Sequence, residues 1–279
     1  MTGGGMTGDM TGDGLTGDMT GDGLTGGGTV DGGAARGRTG GEGPQAAASP
    51  LIRAILPPSV TCAEATADVV DVVLPAEEQA LVARSVDSRR AEFTTGRTCA
   101  RRALADLGVT AGPILSDARG APQWPNGTIG SITHCDGYRA AVAARTADVV
   151  TLGIDAEANQ PLPEGILEAV ALPAEREWVR ALLRARPEVH WDRLLFSMKE
   201  TVYKAWYPLA RCMLDFDEAH LAVDPDQHTF TARLLRPGPE VSGRPVTGFS
   251  GRWTATEALV LSAIAVPNDS RWSRTAPVS

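Results

Sequence analysis

Trp191-Asp192-Arg193-Leu194-Leu195-Phe196-Ser197-Met198-Lys199-Glu200-Thr201-Val202-Tyr203-Lys204-Ala205-Trp206-Tyr207-Pro208-Leu209 is the stretch on which the fold turns. From Trp191, the residues Leu195, Met198, Val202, Ala205, Trp206 and Leu209 fall at +4, +7, +11, +14, +15 and +18, which is one side of a helix. Leu194, Phe196 and Tyr203 add apolar groups around the same cylinder, so the helix should be largely buried. Pro208 should kink or end it. This apolar helix nevertheless carries the only two lysines of the 279-residue chain, Lys199 and Lys204; elsewhere positive charge is arginine. An ammonium is a compact point charge where a guanidinium is a planar fork, so the surviving lysines point to chemistry that needs the former. Glu200 sits between them, where a bare carboxylate is costly unless paired or metal-bound. The plainer reading is an i,i+4 pair with Lys204, which stabilises a helix by only about 0.2–0.5 kcal/mol.

Working outward, Val149 to Asp155 reads as a strand that ends in Gly153-Ile154-Asp155-Ala156-Glu157. Side chains alternate along a strand, so Asp155 and Glu157 share a face about 7 Å apart. Two hard oxygen donors on one face suit magnesium; a solvent-facing acidic strand end is the alternative. Three carboxylates and two lysines together are what is needed to hold a metal against a pyrophosphate. Thr128–Thr133 and Ala140–Ala144 read as strands joined at Asp136-Gly137. Gly130-Ser131-Ile132-Thr133-His134 then brings small residues, hydroxyls and an imidazole to a strand end, where they could serve a phosphate or simply the core.

Residues 75–107 read as one helix, with Val86, Phe93, Ala100, Leu104 and Leu107 as its apolar stripe, Arg89, Arg90, Arg97 and Arg101 at its edges, and Gly108 as its stop. Helices are expected at 164–170 and 173–185, and strands at Leu221–Val223, Thr229–Leu235, Gly251–Thr254 and Ala258–Val266. Helices and strands without regular alternation give the class α+β.

Residues 1–48 hold 18 of the 31 glycines and repeat a Thr-Gly-Asp pattern, a composition that cannot bury enough apolar surface to order itself. They are expected to be a disordered, dispensable tail, and residues 268–279 are expected to be a disordered one. The net charge is −8, half of it from six acids against two arginines in that first tail, so no basic excess marks a nucleic-acid binder. The four cysteines show no metal spacing, no apolar run reaches a membrane span, and no signal-peptide core opens the chain. A soluble, cytoplasmic protein is expected.

Four motifs now stand in order: Arg89-Arg90-Ala91-Glu92-Phe93 with Gly96-Arg97; Gly130-Ser131-Ile132-Thr133-His134-Cys135; Gly153-Ile154-Asp155-Ala156-Glu157; and Phe196-Ser197-Met198-Lys199-Glu200 with Tyr203-Lys204-Ala205. Together they resemble the motif set of Sfp/EntD-type 4′-phosphopantetheinyl transferases, actinobacterial subgroup, over roughly residues 51–266. The resemblance implies two similar α/β halves with pseudo-twofold symmetry, 49–150 and 151–267, and coenzyme A as co-substrate in the cleft between them. It implies that the 4′-phosphopantetheine arm passes to a serine of apo acyl carrier and peptidyl carrier domains of polyketide, nonribosomal-peptide and fatty-acid synthesis, releasing adenosine 3′,5′-bisphosphate. Asp155, Glu157 and Glu200 would hold Mg2+. Glu200 and Lys204 would be catalytic, with Glu200 also the base for the serine. Arg89, Arg97, Thr133 and His134 would surround the 3′-phosphate end, and Lys199 and Lys204 would count among the coenzyme A contacts. Where many members have a Gly-Lys-Pro turn this chain has Gly120-Ala121-Pro122, and Arg119 is the expected replacement. A monomer is expected, without nucleic-acid or membrane partners. The competing readings are a magnesium-dependent phosphohydrolase acting on coenzyme A or a nucleotide, and a non-catalytic coenzyme A-binding module.

Overall fold

The structure, a computed structural model, describes residues 50–268; both expected tails lie outside the described residues, apart from Asn268, which is hydrogen-bonded to Asp148 and Thr146. Strands β1 (Thr61–Ala65), β2 (Thr128–Cys135) and β3 (Tyr138–Arg145) form an antiparallel sheet in the order β1-β3-β2. Asp136-Gly137 closes the β2–β3 hairpin, with Gly137 at the positive φ of +67° that a two-residue turn demands. Strand β1 was not expected: Thr-Cys-Ala-Glu-Ala has neither apolar alternation nor β-branched density, and its pairing to β3 makes it a strand.

The small residues of β3 follow from cover on both faces. Ala141 and Ala143 pack under Cys99, Ala100, Ala103 and Leu104, while Ala140, Val142 and Ala144 join Ile52, Ile55, Leu152 and Ile154 on the other side. The first group of partners lies on a helix that differs from the single one expected. Residues 75–107 form two helices, α1 (Ala76–Leu81) and α2 (Asp87–Asp106), broken at 82–86. The stripe is also rotated. Val86 is 69% exposed at the start of α2, and Phe93 lies under the Arg97 guanidinium, 4.4 Å from its centre. Thr95, Gly96, Cys99, Ala100, Ala103 and Leu104 make the buried face, and small residues let α2 come down onto the sheet.

The second sheet has the order β4-β10-β9-β6-β5, all antiparallel: β4 (Val149–Ala158), β5 (Ala219–Asp224), β6 (Thr229–Leu234), β9 (Gly248–Ala255) and β10 (Leu259–Pro267), with a small separate β7–β8 hairpin at Glu240–Val241 and Arg244–Pro245. Helices α3 (Ile166–Val170), α4 (Pro173–Ala185) and α5 (Trp191–Ala210) lie in the long excursion between β4 and β5. Helix α5 is the core of this half, with Trp191, Leu194, Leu195, Met198, Val202, Ala205 and Trp206 buried among Phe230, Phe249, Trp253 and Ile264. Pro208 does not stop it; the helix runs on to Ala210 and ends at Arg211 in the left-handed region.

Strand β4 is the hinge of the architecture. Its even residues Leu152, Ile154 and Ala156 enter the core shared with the first sheet, and from Thr151 onward its odd residues Thr151, Gly153 and Asp155 face α5. A Cβ on Gly153 would lie 2.5 Å from Thr201 O and 2.8 Å from Ala205 N, so only glycine lets the helix backbone lie this close. Thr151 Oγ1 donates to Ala205 O at 2.5 Å in the same seam. On its outer edge β4 meets β2 through side chains: Ser131 Oγ accepts Ile154 N–H at 3.1 Å and Thr133 Oγ1 accepts Ala156 N–H at 3.0 Å. The hydroxyls of the Gly-Ser-Ile-Thr-His motif thus satisfy amides that a sheet edge would leave bare.

Candidate active site

The odd face of β4 delivers Asp155 and Glu157 to α5, and α5 answers each with a cation. Lys204 Nζ donates to Asp155 Oδ1 at 2.8 Å, and Arg193 donates to Glu157 Oε2 at 3.1 Å. Thr133 Oγ1 also reaches Asp155 Oδ1, at 3.2 Å, while Asp155 Oδ2 is buried without a hydrogen-bond partner. Burial, then the charge of Asp155, pushes Glu157 up to about 8, with Arg193 and Lys204 opposing. Glu200 is pushed up to about 7, again by burial first, with Lys204 opposing and Asp155 adding. Burial pulls Lys204 down, but Asp155 and Glu200 outweigh it and the net shift is upward.

Two carboxyls raised by burial and by the Asp155 charge, and one buried Asp155 oxygen without a donor, are short of positive charge. That donor set fits a hard divalent cation with oxygen ligands. Among the described residues no three acidic, histidine or cysteine side chains are already drawn into a cage. Asp155 and Glu157 are instead held by Lys204 and Arg193.

A second cluster lies where β2 meets α2. Arg89 Nη1 donates to His134 Nε2 at 3.0 Å, and Glu92 sits 3.6 Å from Arg89 and 3.7 Å from His134 Nδ1. Burial, then Arg89, Lys204 and Arg139, push His134 down to about 3, so the ring is neutral and Nε2 is its acceptor. Arg97 is 5% exposed, donates to Ser116 Oγ at 3.2 Å and leaves Nε without a partner. Burial, opposed by Glu78 and helped by Arg101 and Arg89, brings it down to about 10. Here a buried guanidinium nitrogen, Arg97 Nε, lacks an acceptor, the converse of Asp155 Oδ2 in the first cluster, and Lys204 acts on both.

Arg119 is exposed on the loop that joins the two clusters. Asp117 Oδ1 accepts the backbone N–H of Arg119 at 2.9 Å and of Ala121 at 3.0 Å, and Oδ2 accepts Tyr207 O–H of α5 at 2.8 Å. The preceding Ser116 is the residue that receives Arg97.

Lys199 is the sequence candidate that the structure keeps apart. Its Nζ is 2.9 Å from Glu175 Oε2 and donates to Phe216 O at 2.7 Å and Ala219 O at 2.6 Å, so its three protons go to scaffold acceptors. Thr133 likewise spends its hydroxyl on Asp155 and β4. Sequence reasoning missed Arg193, Asp117 and Tyr207. Arg193 had a legible signal: it precedes Glu200 by seven residues and Lys204 by eleven, which places each of them within about 20° of it on one helical face.

With this geometry in place, the comparisons speak to family. The profile described as "4'-phosphopantetheinyl transferase N-terminal domain" matches residues 77–144, and that of the "4'-phosphopantetheinyl transferase superfamily" matches 151–244. The chain is 61% identical over 203 residues to 4'-phosphopantetheinyl transferase Svp of Streptomyces mobaraensis, covering 73% of this chain and 82% of that protein. It is 44% identical to PptT of Mycobacterium tuberculosis, covering 77% of this chain and 98% of that protein, and 44% identical to Npt of Nocardia iowensis, covering 77% and 99%.

The chain belongs to the Sfp-type 4′-phosphopantetheinyl transferases. As a transferase of this type it places the Asp155–Glu157 strand at the start of the superfamily match and the Arg89–Arg97 helix inside the N-terminal match. No helix among the described residues is long and apolar enough to cross a membrane.

Proposed function

We propose that this 4′-phosphopantetheinyl transferase takes coenzyme A and an apo acyl or peptidyl carrier domain of polyketide, nonribosomal-peptide or fatty-acid synthesis as its substrates. It works between two halves divided near residue 150, as a monomer in the cytoplasm. The observation that carries the reading is a pair of buried polar atoms left over: Asp155 Oδ2 without a donor beside the raised carboxyls of Glu157 and Glu200, and Arg97 Nε without an acceptor, with Lys204 acting electrostatically on both clusters. A diphosphate ester that ends in a 3′-phosphate complements both.

Asp155, Glu157 and Glu200 would hold Mg2+. When bound, the metal supplies charge neutralisation at the pyrophosphate. Arg97 and Arg89, with neutral His134, receive the 3′-phosphate, for which guanidinium forks suit bidentate contact. Arg119, on its Asp117-anchored loop, adds charge from the cleft rim. Lys204 exchanges Asp155 for a phosphate oxygen. The carrier serine Oγ attacks the β-phosphorus, a new P–O bond forms, and the bond to the α-phosphate oxygen breaks to release adenosine 3′,5′-bisphosphate. Phosphoryl transfer of this kind needs in-line placement and charge stabilisation more than covalent help. Glu200 would accept the serine proton, directly or through one water.

Mass spectrometry of an apo-acyl carrier protein incubated with the transferase, coenzyme A and magnesium tests the reading. Addition of one phosphopantetheine arm to the carrier is expected. Cleavage of coenzyme A with no mass gain on the carrier would favour a phosphohydrolase instead.

A further inference from the structure

Arg193 has no role in the chemistry described so far, yet it is the most constrained charge beside the site. It enters from the first turn of α5 and lies on the same helical face as Glu200 and Lys204. Its three donor nitrogens go three ways: Nη1 to Glu157 Oε2 at 3.1 Å, Nη2 to Pro161 O at 3.0 Å, and Nε to Gln160 O at 3.3 Å.

The two backbone acceptors are themselves fixed. Leu162 N–H donates to Asp192 Oδ2 at 2.9 Å, and Asn159 Nδ2 donates to Thr256 O at 2.8 Å and Glu188 O at 3.1 Å. His190 N–H closes the loop onto Asn159 Oδ1 at 2.9 Å. The guanidinium is therefore clamped between an ordered loop and one carboxylate oxygen. Among the described residues, Glu157 Oε1 is left uncommitted.

The contrast with Lys204 is sharp. That ammonium makes one hydrogen bond, to a carboxylate, from a flexible stem, and 21% of its side chain is exposed. It can leave Asp155 without breaking anything else. Arg193 cannot leave Glu157 without also abandoning or straining two carbonyl bonds.

We propose that Arg193 is a positioning residue for the divalent cation site: it fixes the Glu157 carboxylate by one oxygen and aims the other at the metal, and it stays in place when the metal binds. This rests on the assignment of Asp155, Glu157 and Glu200 as metal ligands. Groups that orient a ligating carboxylate commonly contribute about 10–100-fold to metal affinity. A cation merely parked on an empty ligand would do the reverse, because its removal would free a negative charge and tighten binding.

The test is Mn2+ affinity, measured by the electron paramagnetic resonance signal of free Mn2+ on the intact protein with coenzyme A present. Thermal melting confirms that each variant is folded. Arg193→Met should weaken Mn2+ binding about tenfold or more, and Arg193→Lys, which keeps the charge but not the fork, should recover only part of the loss. In a Glu157→Gln background the same Arg193→Met change should have little further effect, because its partner ligand is already gone. Unchanged or tighter binding in Arg193→Met, or an equal loss in both backgrounds, overturns the positioning role. Should Arg193→Met not fold, Arg193→Lys and Arg193→Gln carry the same comparison. Glu157→Gln alone separates the two levels: no change in Mn2+ affinity there means the ligand assignment has failed, whereas a loss there without one in Arg193→Met means only the positioning role has failed.

Discussion

Lys199 and Lys204 are identical side chains five residues apart on one helix, and the fold uses them for opposite purposes. Five residues turn a helix through about 140°, so Lys204 faces β4 and Lys199 faces α4 and the start of β5. Lys199 meets Glu175, and the two side chains are only 2% and 0% exposed; Lys204 meets Asp155 with 21% of its side chain open. Burial lowers Lys199 despite the Glu175 charge, whereas the carboxylates around Lys204 win and raise it. One lysine is a structural tie, and the other is a charge held ready.

The structural tie has a counterpart in the first half. Glu175 accepts Leu172 N–H at 2.7 Å and Leu221 N–H at 2.6 Å and pairs with Lys199 of α5. Glu78, also fully buried, accepts Ile114 N–H at 2.6 Å and pairs with Arg101 of α2 at 2.5 Å. Each glutamate lies in the first turn of a helix that starts at Leu-Pro-Ala, Glu78 four residues after Leu74 and Glu175 three after Leu172. Each half thus locks its long helix to a later segment with a buried acid and a helix cation. Lys199 plays in the second half the part that Arg101 plays in the first.

The largest expected effect breaks the buried tie. Lys199→Met strands the Glu175 charge, and removing one partner of such a pair costs about 3–5 kcal/mol, read as a lower urea midpoint. Adding Glu175→Gln should return more than half of that loss, while the KM for coenzyme A of the folded fraction stays within about twofold. A selective rise in KM would place Lys199 in the cleft after all. Next, Lys204→Met should lower kcat by about 10²–10³-fold with a small change in melting temperature. Loss of stability without loss of kcat would erase the distinction between the two lysines.

Arg101→Met tests the echo. Its side chain is 26% exposed, so water can partly solvate Glu78, and the expected cost is about 1.5–3 kcal/mol, less than for Lys199. An equal cost would make the two ties equivalent despite their different burial. The remaining effect concerns pH. Glu157 and Glu200 are raised from 4.5 to about 8 and about 7, so between those values the folded state holds more protons than the unfolded one. Their contribution is complete below about 4.5 and is lost as pH rises through 7 to 8, so stability without metal should fall across that window. Saturating magnesium should flatten the slope, as measured by denaturation at each pH; an unchanged slope would count against these carboxylates as ligands.

What could be read from the chain alone was whatever depends on periodicity or local pairing. The helix from Trp191, the Asp136-Gly137 hairpin, and the strands at Val149 and in the last fifty residues were legible because a helix repeats at 3.6 residues and a strand at two. The motif set carried the family for the same reason: its residues lie in a few short runs, each with its spacing intact. The tertiary structure decided the rest. Thr61–Ala65 is a strand only because β3 offers it an edge. Residues 75–107 break into two helices, and the buried stripe of α2 turns away from Val86 and Phe93 toward Thr95, Gly96 and Cys99. Above all, nearness along the chain grouped Lys199 with Lys204 and left Arg193 unremarked. A side chain's role depends on what packs against its face of the helix: the buried Glu175 against one, Asp155 against another, and the Gln160–Pro161 carbonyls and Glu157 against the third. Those partners lie tens of residues away along the chain, and only the packing of α5 between β4 and α4 brings them within hydrogen-bonding distance.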